Sequence, residues 1–218
     1  MPESGDSTHA PRDVRPECNR IDRSFPTDAR AEPARAEDGI ASDALAAKVF
    51  TIGHGTRAAA ELVACLDEAG VRTLVDVRRY PGSRRHPQFG QEALGETLGE
   101  AGIAYRHAEA LGGRRSGEPG EERFGCLRVA AFRSYAARMG SDEWQEALGA
   151  ALSEAVPCLM CAETLWTRCH RRLISELLVA RGHEVVHLLR PGRHASHKLY
   201  DESELRDGHL YLCGSLAA

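Results

Sequence analysis

The chain has 218 residues, with 28 Lys and Arg against 32 Asp and Glu and a formal charge of −4. That length holds one domain with a real core plus a tail, and the charge argues against a strongly basic nucleic-acid binder while leaving room for local basic patches. No apolar run approaches the roughly 20 residues that span a bilayer, and the chain start lacks the apolar segment of a signal peptide. A soluble, cytoplasmic protein with no membrane partner is therefore expected. Its seven irregularly spaced cysteines are expected as reduced thiols, with Cys65 and Cys158 as small core residues.

Residues 1–46 are rich in Pro, Asp, Glu, Arg and Ala. Such a segment buries too little apolar surface to offset its ordering entropy, so a disordered tail is expected there and a single α/β domain over 47–218. Lys48 to Ile52 reads as a strand, followed by a turn, Gly53-His54-Gly55-Thr56. Thr56 is expected to cap the next helix, whose stripe is Leu62, Val63 and Leu66 and whose stop is Gly70. The two glycines of the turn are expected to let the backbone approach a ligand.

Thr73 to Val77 is a second strand, nearly all apolar as in a buried parallel sheet, but interrupted by Asp76. Arg78, Arg79, Arg84 and Arg85 follow within eight residues, around Pro81-Gly82 and Ser83. Arginine takes phosphate in bidentate fashion, so this loop is a candidate anion site; the plainer alternative pairs its arginines with nearby acids such as Asp76. A helix over Gln91–Ala101 and a strand over Ile103–His107 come next. A Gly- and Arg-rich loop, 111–125, brings Arg114 and Arg115 within reach of a ligand. Two helices are expected over Cys126–Met139 and Asp142–Ala155, with Ser141 capping the second and Phe132, Tyr135, Trp144 and Leu148 as core.

Pro157 to Arg172 is the richest stretch. An apolar strand ends in Cys161, a loop carries Glu163, and Cys169, His170, Arg171 and Arg172 open a helix over Cys169–Ala180. Strand C-termini are where ligands bind in open α/β sheets, and a helix start favours an anion. A strand over Glu184–Leu189 follows, then His194 and His197, and the final residues either form a short hairpin about Asp207-Gly208 or pack on the surface. Strands alternating with helices give the fold class: one doubly wound, Rossmann-like, mostly parallel sheet with helices on both faces.

Four blocks together, TIGHGT (51–56), LVDVRRYPGSRRHPQF (74–89), LGGRR (111–115) and LMCAETLWTRCHRRLI (159–174), resemble the domain-of-unknown-function family numbered 488. The resemblance runs in order over about residues 48–190. Where the family often has Ser, this chain has Gly55. The family name carries no reaction, so the resemblance implies fold and site position. The motif positions it implies are His54, Thr56, Asp76, Arg78, Pro81, Ser83 and Arg84, then Gly112, Gly113 and Arg114, then Cys161, Glu163, Cys169, His170 and Arg171.

Four chemistries fit these residues. In the first, Glu163 and Asp76 act as general base or water-positioning groups while Thr56, Arg78, Ser83, Arg84, Gly113, Arg114 and Arg171 hold phosphate. That suits a hydrolase or transferase acting on a nucleotide or nucleic acid, DNA repair included. In the second, Cys161 or Cys169, among arginines at a helix start with His170 and His54 nearby, is a nucleophile of a sulfurtransferase or phosphatase type. The distant likeness to such cysteine–loop–arginine cradles is strained by the six residues between Cys161 and Arg168 and by the acidic Glu163. In the third, the arginines form a non-catalytic nucleic-acid face. The fourth, a metal held by the cysteines and histidines, lacks any standard ligand spacing, so no metal site is expected. A Glu163–Arg171 salt bridge is the structural alternative. The expected partner is a phosphorylated small molecule or a nucleic acid; cofactor and oligomeric state are not legible.

Overall fold

The computed structural model describes residues 47–82, 85–114 and 116–218. The expected tail over 1–46 and the candidate residues Ser83, Arg84 and Arg115 lie outside the described residues. Nine strands and five helices follow in order among those described. They are β1 (Lys48–Gly53), α1 (Ala59–Glu68), β2 (Thr73–Asp76), α2 (Gln91–Glu100), β3 (Ala104–His107), α3 (Ala130–Met139) and α4 (Asp142–Leu152). After these come β4 (Pro157–Cys161), α5 (Arg171–Ala180), β5 (Glu184–Arg190), β6 (Arg193–Ser196), β7 (Ser203–Arg206), β8 (His209–Leu212) and β9 (Ser215–Leu216).

The main sheet has the order β3-β2-β4-β1-β5-β6 and is parallel except for β6. It is the mixed α/β, Rossmann-like architecture expected. The strands bury both faces, as a parallel sheet does. Val49, Val75 and Leu159 face a core shared with Tyr135, Trp144, Leu148, Leu173 and Leu177. Phe50, Ile52, Leu74, Cys158 and Met160 face one shared with Leu62, Leu66, Leu94 and Leu98. Helices α1 and α2 therefore cover one face, and α3, α4 and α5 the other. The winding reverses between the adjacent strands β1 and β4: β1 crosses over β4 to β2 through α1 on one face, and β4 crosses over β1 to β5 through α5 on the other. A crevice opens at the C-terminal ends of such a pair. In register, Gly53 of β1 faces Cys161 of β4, and Asp76 of β2 faces Met160.

Several boundaries differ from expectation for physical reasons. Thr56 is exposed in the turn, and Ala58, not Thr56, precedes α1 without a side-chain cap. The 111–125 segment is not irregular throughout: two short 3₁₀ turns, Glu109–Leu111 and Glu121–Phe124, bury Leu111 and Phe124 as anchors. Helix α3 starts at Ala130 and α5 at Arg171, both later than expected. Ser141 does cap α4, accepting from the Trp144 N–H. Edge strand β6 folds back after β5, and the hairpin at Asp207-Gly208 gains a third strand, β9. Both turn residues have positive φ, 48° and 76°, as a two-residue hairpin turn requires. Leu210 and Leu212 of β8 join the core beside α5.

Cys126 and Cys213 form a disulfide, with Cα atoms 5.6 Å apart and a sequence separation of 87. This corrects the expectation of reduced thiols for that pair, since spacing carries no signal over such a distance. Cys65, Cys158, Cys161 and Cys169 are free and buried. No described helix is long and apolar enough to cross a membrane.

The disulfide ties the small C-terminal sheet to the loop before α3 and closes a long stretch of chain. Replacing Cys126 by Ser should lower the unfolding free energy by roughly 2–4 kcal/mol, read from urea denaturation.

Candidate functional site

The loop after β4 leaves Cys161, returns at Cys169, and enters α5 through His170. Cys161 Sγ and Cys169 Sγ lie 3.8 and 3.7 Å from His170 Nδ1. All three donor atoms fall within 4.8 Å of one another and all three residues are buried. His170 Nε2 lies 3.0 Å from the Val77 carbonyl, at the end of β2. That bond fixes the ring with Nε2 as the donor to Val77 and turns Nδ1 toward the sulfurs. Gly113 walls the imidazole: a Cβ there would sit 2.6 Å from Nδ1. Neither of the two cavities described, beside Phe50 and Arg193 and beside Trp166 and Tyr200, is lined by these three residues.

The two thiols differ sharply. The hydrogen bond to Cys169, together with burial, pushes the Cys161 thiol well above its ordinary range. Burial also works against a Cys169 thiolate. The bond from Cys161, the His170 imidazole and the Arg171 guanidinium outweigh it and hold the Cys169 thiol well below its ordinary range. The pair thus favours negative charge on Cys169, with Cys161 as the hydrogen-bond donor.

Arg171 is almost wholly buried, with 1 % of its surface exposed. Its Nη1 donates to Thr51 Oγ1 of β1 at 3.2 Å, and its Nη2 donates to the carbonyls of Glu163 and Thr164. The backbone N–H of Arg171 reaches Cys169 Sγ at 3.5 Å. Among the described residues no acidic side chain pairs with this guanidinium. The expected Glu163–Arg171 contact therefore runs to the Glu163 backbone, while the Glu163 side chain is exposed. Gly53 makes this possible, because a Cβ there would lie 1.9 Å from the Glu163 carbonyl oxygen. Gly55 does the same against Thr164. The turn glycines thus admit the protein's own loop.

Asp76, fully buried at the end of β2, is answered by Arg78. The Arg78 Nε donates to Oδ1 at 2.8 Å, and Nη2 donates to Oδ2 and, at 2.9 Å, to the Phe89 carbonyl. The Tyr105 hydroxyl adds a bond to Oδ2 at 2.8 Å. Arg78 Nη1 lies 3.3 Å from His54 Nε2, and the other His54 nitrogen meets the Gly55 carbonyl at 3.0 Å. His54 stacks on Phe89, with ring centroids 4.4 Å apart. Burial and the Arg78 charge lower its pKa to about 4, against the pull of the Gly55 bond. Asp76 and Arg78 therefore satisfy each other. Arg79 is half-buried, with its Nη1 3.4 Å from the Arg114 carbonyl and its buried Nε without a partner, while the Arg114 side chain is exposed.

Sequence reasoning missed a second polar chain. Thr51 Oγ1 lies 2.7 Å from His187 Nδ1, and His187 Nε2 lies 2.9 Å from His197 Nδ1. His197 Nε2 faces the buried Glu176 at 3.5 Å, and Arg172 bonds Glu202 at 3.0 Å. Trp166, in the loop between the two cysteines, stacks on His187 at 4.1 Å. The available signals were His187 inside an apolar strand and Glu176 among the apolar positions of α5.

The family model for the domain of unknown function DUF488 matches residues 58–178, more than half of the chain. The chain belongs to the DUF488 family. No curated protein and no solved structure matches it. The DUF488 segment contains Asp76, Arg78, Gly113, Cys161, Glu163, Cys169, His170 and Arg171, whereas Thr51, His54 and the His187–His197 pair lie outside it.

Arg78→Ala should cost roughly 3–5 kcal/mol in stability, because it leaves the Asp76 carboxylate buried without its partner. Burial also lowers His187, to about 3. With His54 at about 4, both groups sit below the ordinary 6.5, so the unfolded chain takes up protons first. Their contribution to stability is present above pH 6.5 and is lost as the pH falls toward 4 and 3. The melting temperature should decline across that window, and less steeply for His187→Gln.

Proposed function

We propose that this DUF488 protein is an enzyme of hydrolysis or group transfer whose reacting centre is Cys161, Cys169 and His170. The observation that carries this reading is the convergence of two sulfurs and one imidazole nitrogen at the C-terminal ends of adjacent strands. The bond from Cys161, His170 and Arg171 favour the thiolate of Cys169 there. Structural cysteines in a core are inert and carry a raised pKa, as burial gives Cys65 and Cys158. Cys169 departs in the opposite direction.

Glu163 supports the same reading as a base or water-positioning group. Its backbone is clamped by Arg171 while its carboxylate stays in solvent, two residues from Cys161. The substrate class favoured is a phosphate-bearing molecule, a nucleotide or the backbone of a nucleic acid. Arg79 has an unpartnered N–H and Arg114 is exposed, and both sit on the loops that close over the centre. Arg78 contributes by position, since its donors are already used within the protein. Arg171 contributes by position and charge, with its Nη donors used on Thr51 and the loop carbonyls and its buried Nε unpartnered. Asp76 is likewise a partner of Arg78 and not a base.

In chelator-containing buffer at pH 7, iodoacetamide should label Cys169 ahead of Cys65 and Cys158, as peptide mapping would show. Labelling of Cys65 first would sink the thiolate assignment. In a thermal-shift panel of nucleotides and short oligonucleotides, one class should raise the melting temperature, and Arg114→Ala should reduce that shift. Turnover of that ligand should be abolished by Cys169→Ser and reduced by Glu163→Gln. Binding with a salt slope and no turnover under any condition would instead identify a non-catalytic nucleic-acid module.

A further inference from the structure

We propose that Cys161 Sγ, Cys169 Sγ and His170 Nδ1 bind one thiophilic divalent cation, zinc above all, and leave a fourth coordination position for water or an anionic substrate atom. This rests on reading the trio as the reacting centre, and it names the cofactor of that centre.

Bond lengths carry the argument. Zinc binds sulfur at about 2.3 Å and imidazole nitrogen at about 2.05 Å, so tetrahedral angles put sulfur and nitrogen roughly 3.6 Å apart. The two observed separations from Nδ1 are 3.8 and 3.7 Å, nearly equal and close to that value. A dithiol working alone needs no nitrogen equidistant from both sulfurs. Zinc ligation also has a recurring outer arrangement, in which the unbound imidazole nitrogen donates to a carbonyl and fixes the ring. His170 Nε2 does this to Val77. The site holds no oxygen donor of the kind magnesium and calcium need, and thiolate with imidazole selects zinc-like ions.

Charge supports an open, anion-seeking fourth position. Two adjacent thiolates repel, and a divalent cation between them makes the set neutral. Arg171, buried beside Cys169 with no acidic partner among the described residues, then leaves the centre one positive charge in excess. A hydroxide or a phosphate oxygen would balance it. Gly113 keeps the imidazole in place, since any side chain there would displace Nδ1.

The test uses the full chain, stripped with chelator and titrated with cobalt(II). Stoichiometric cobalt should produce the near-ultraviolet thiolate-to-metal absorption and the intense visible bands of a tetrahedral centre. Zinc should displace it, raise the melting temperature and suppress iodoacetamide labelling of Cys161 and Cys169. Cys161→Ser and His170→Gln should each weaken cobalt binding by roughly tenfold or more. Cys65→Ala should leave it unchanged. If the ligand variants do not fold, the wild type still decides the matter. Folded, stripped protein that gives no thiolate–cobalt absorption and no zinc-dependent melting shift overturns the metal site. A resting Cys161–Cys169 disulfide, found by mass spectrometry in freshly purified protein, overturns it as well. The two proposals fail separately: cobalt bound by the trio with turnover intact in Cys169→Ser would end the catalytic reading alone. Cys169-dependent turnover in protein that binds no metal would end this one alone.

Discussion

A single buried guanidinium organises the site. Arg171 lies at the first turn of α5 and reaches back to Thr51 on β1 and to two carbonyls of the loop that leaves β4. It therefore links three segments that the sheet brings side by side but does not itself lock. Every donor it uses goes to an uncharged acceptor, so its positive charge is left for the sulfurs next to it. Gly53 and Gly55 are the geometric counterpart. Without bare backbone at those positions the loop could not come close enough for the guanidinium to hold it.

The second anchor is the Asp76–Arg78 pair. It is neutral in sum and fully hydrogen-bonded, and it fixes the chain at the end of β2 by bonds to Phe89, His54 and Tyr105. Val77 lies between the two charged residues. Its N–H bonds to Met160 of β4 and its carbonyl receives His170. The imidazole is thus oriented by a peptide group that an ion pair immobilises. A buried ion pair adds little net stability compared with apolar packing, but removing one partner is costly. Its value here lies in the orientation it imposes on Val77.

Much of this architecture was legible in the residues. The alternation of apolar strands with helical stripes, and polar groups clustering just after Ile52, Val77 and Met160, located the sheet and the edge where the site lies. The roles were less legible. Arg78 and Arg171 read as ligand-binding cations because arginine so often is. Arg171 binds chiefly backbone carbonyls, which leave no mark in a sequence, whereas Arg78 binds Asp76, the plainer pairing that the residues already offered. Gly53 read as room for a ligand, and it is room for Glu163. The Cys126–Cys213 bond depends on long-range closure, which local pattern does not record, whereas edge strand β6 is a local hairpin with β5 whose four residues carry no apolar alternation. The metal-like spacing of Cys161, Cys169 and His170 was equally hidden. Seven residues of loop separate the sulfurs in sequence, and only the shape of that loop brings them together.

The central claim is that Arg171 shapes this loop so that the two sulfurs converge. Trivalent arsenicals bridge only thiols that are neighbours in space, so phenylarsine oxide binding to the native protein, mapped by mass spectrometry, tests it most directly. One equivalent should bind across Cys161 and Cys169 and shield both from alkylation, and Arg171→Gln should weaken that capture in protein that remains folded. An adduct on other cysteines, or bridging that is indifferent to Arg171, would contradict the account.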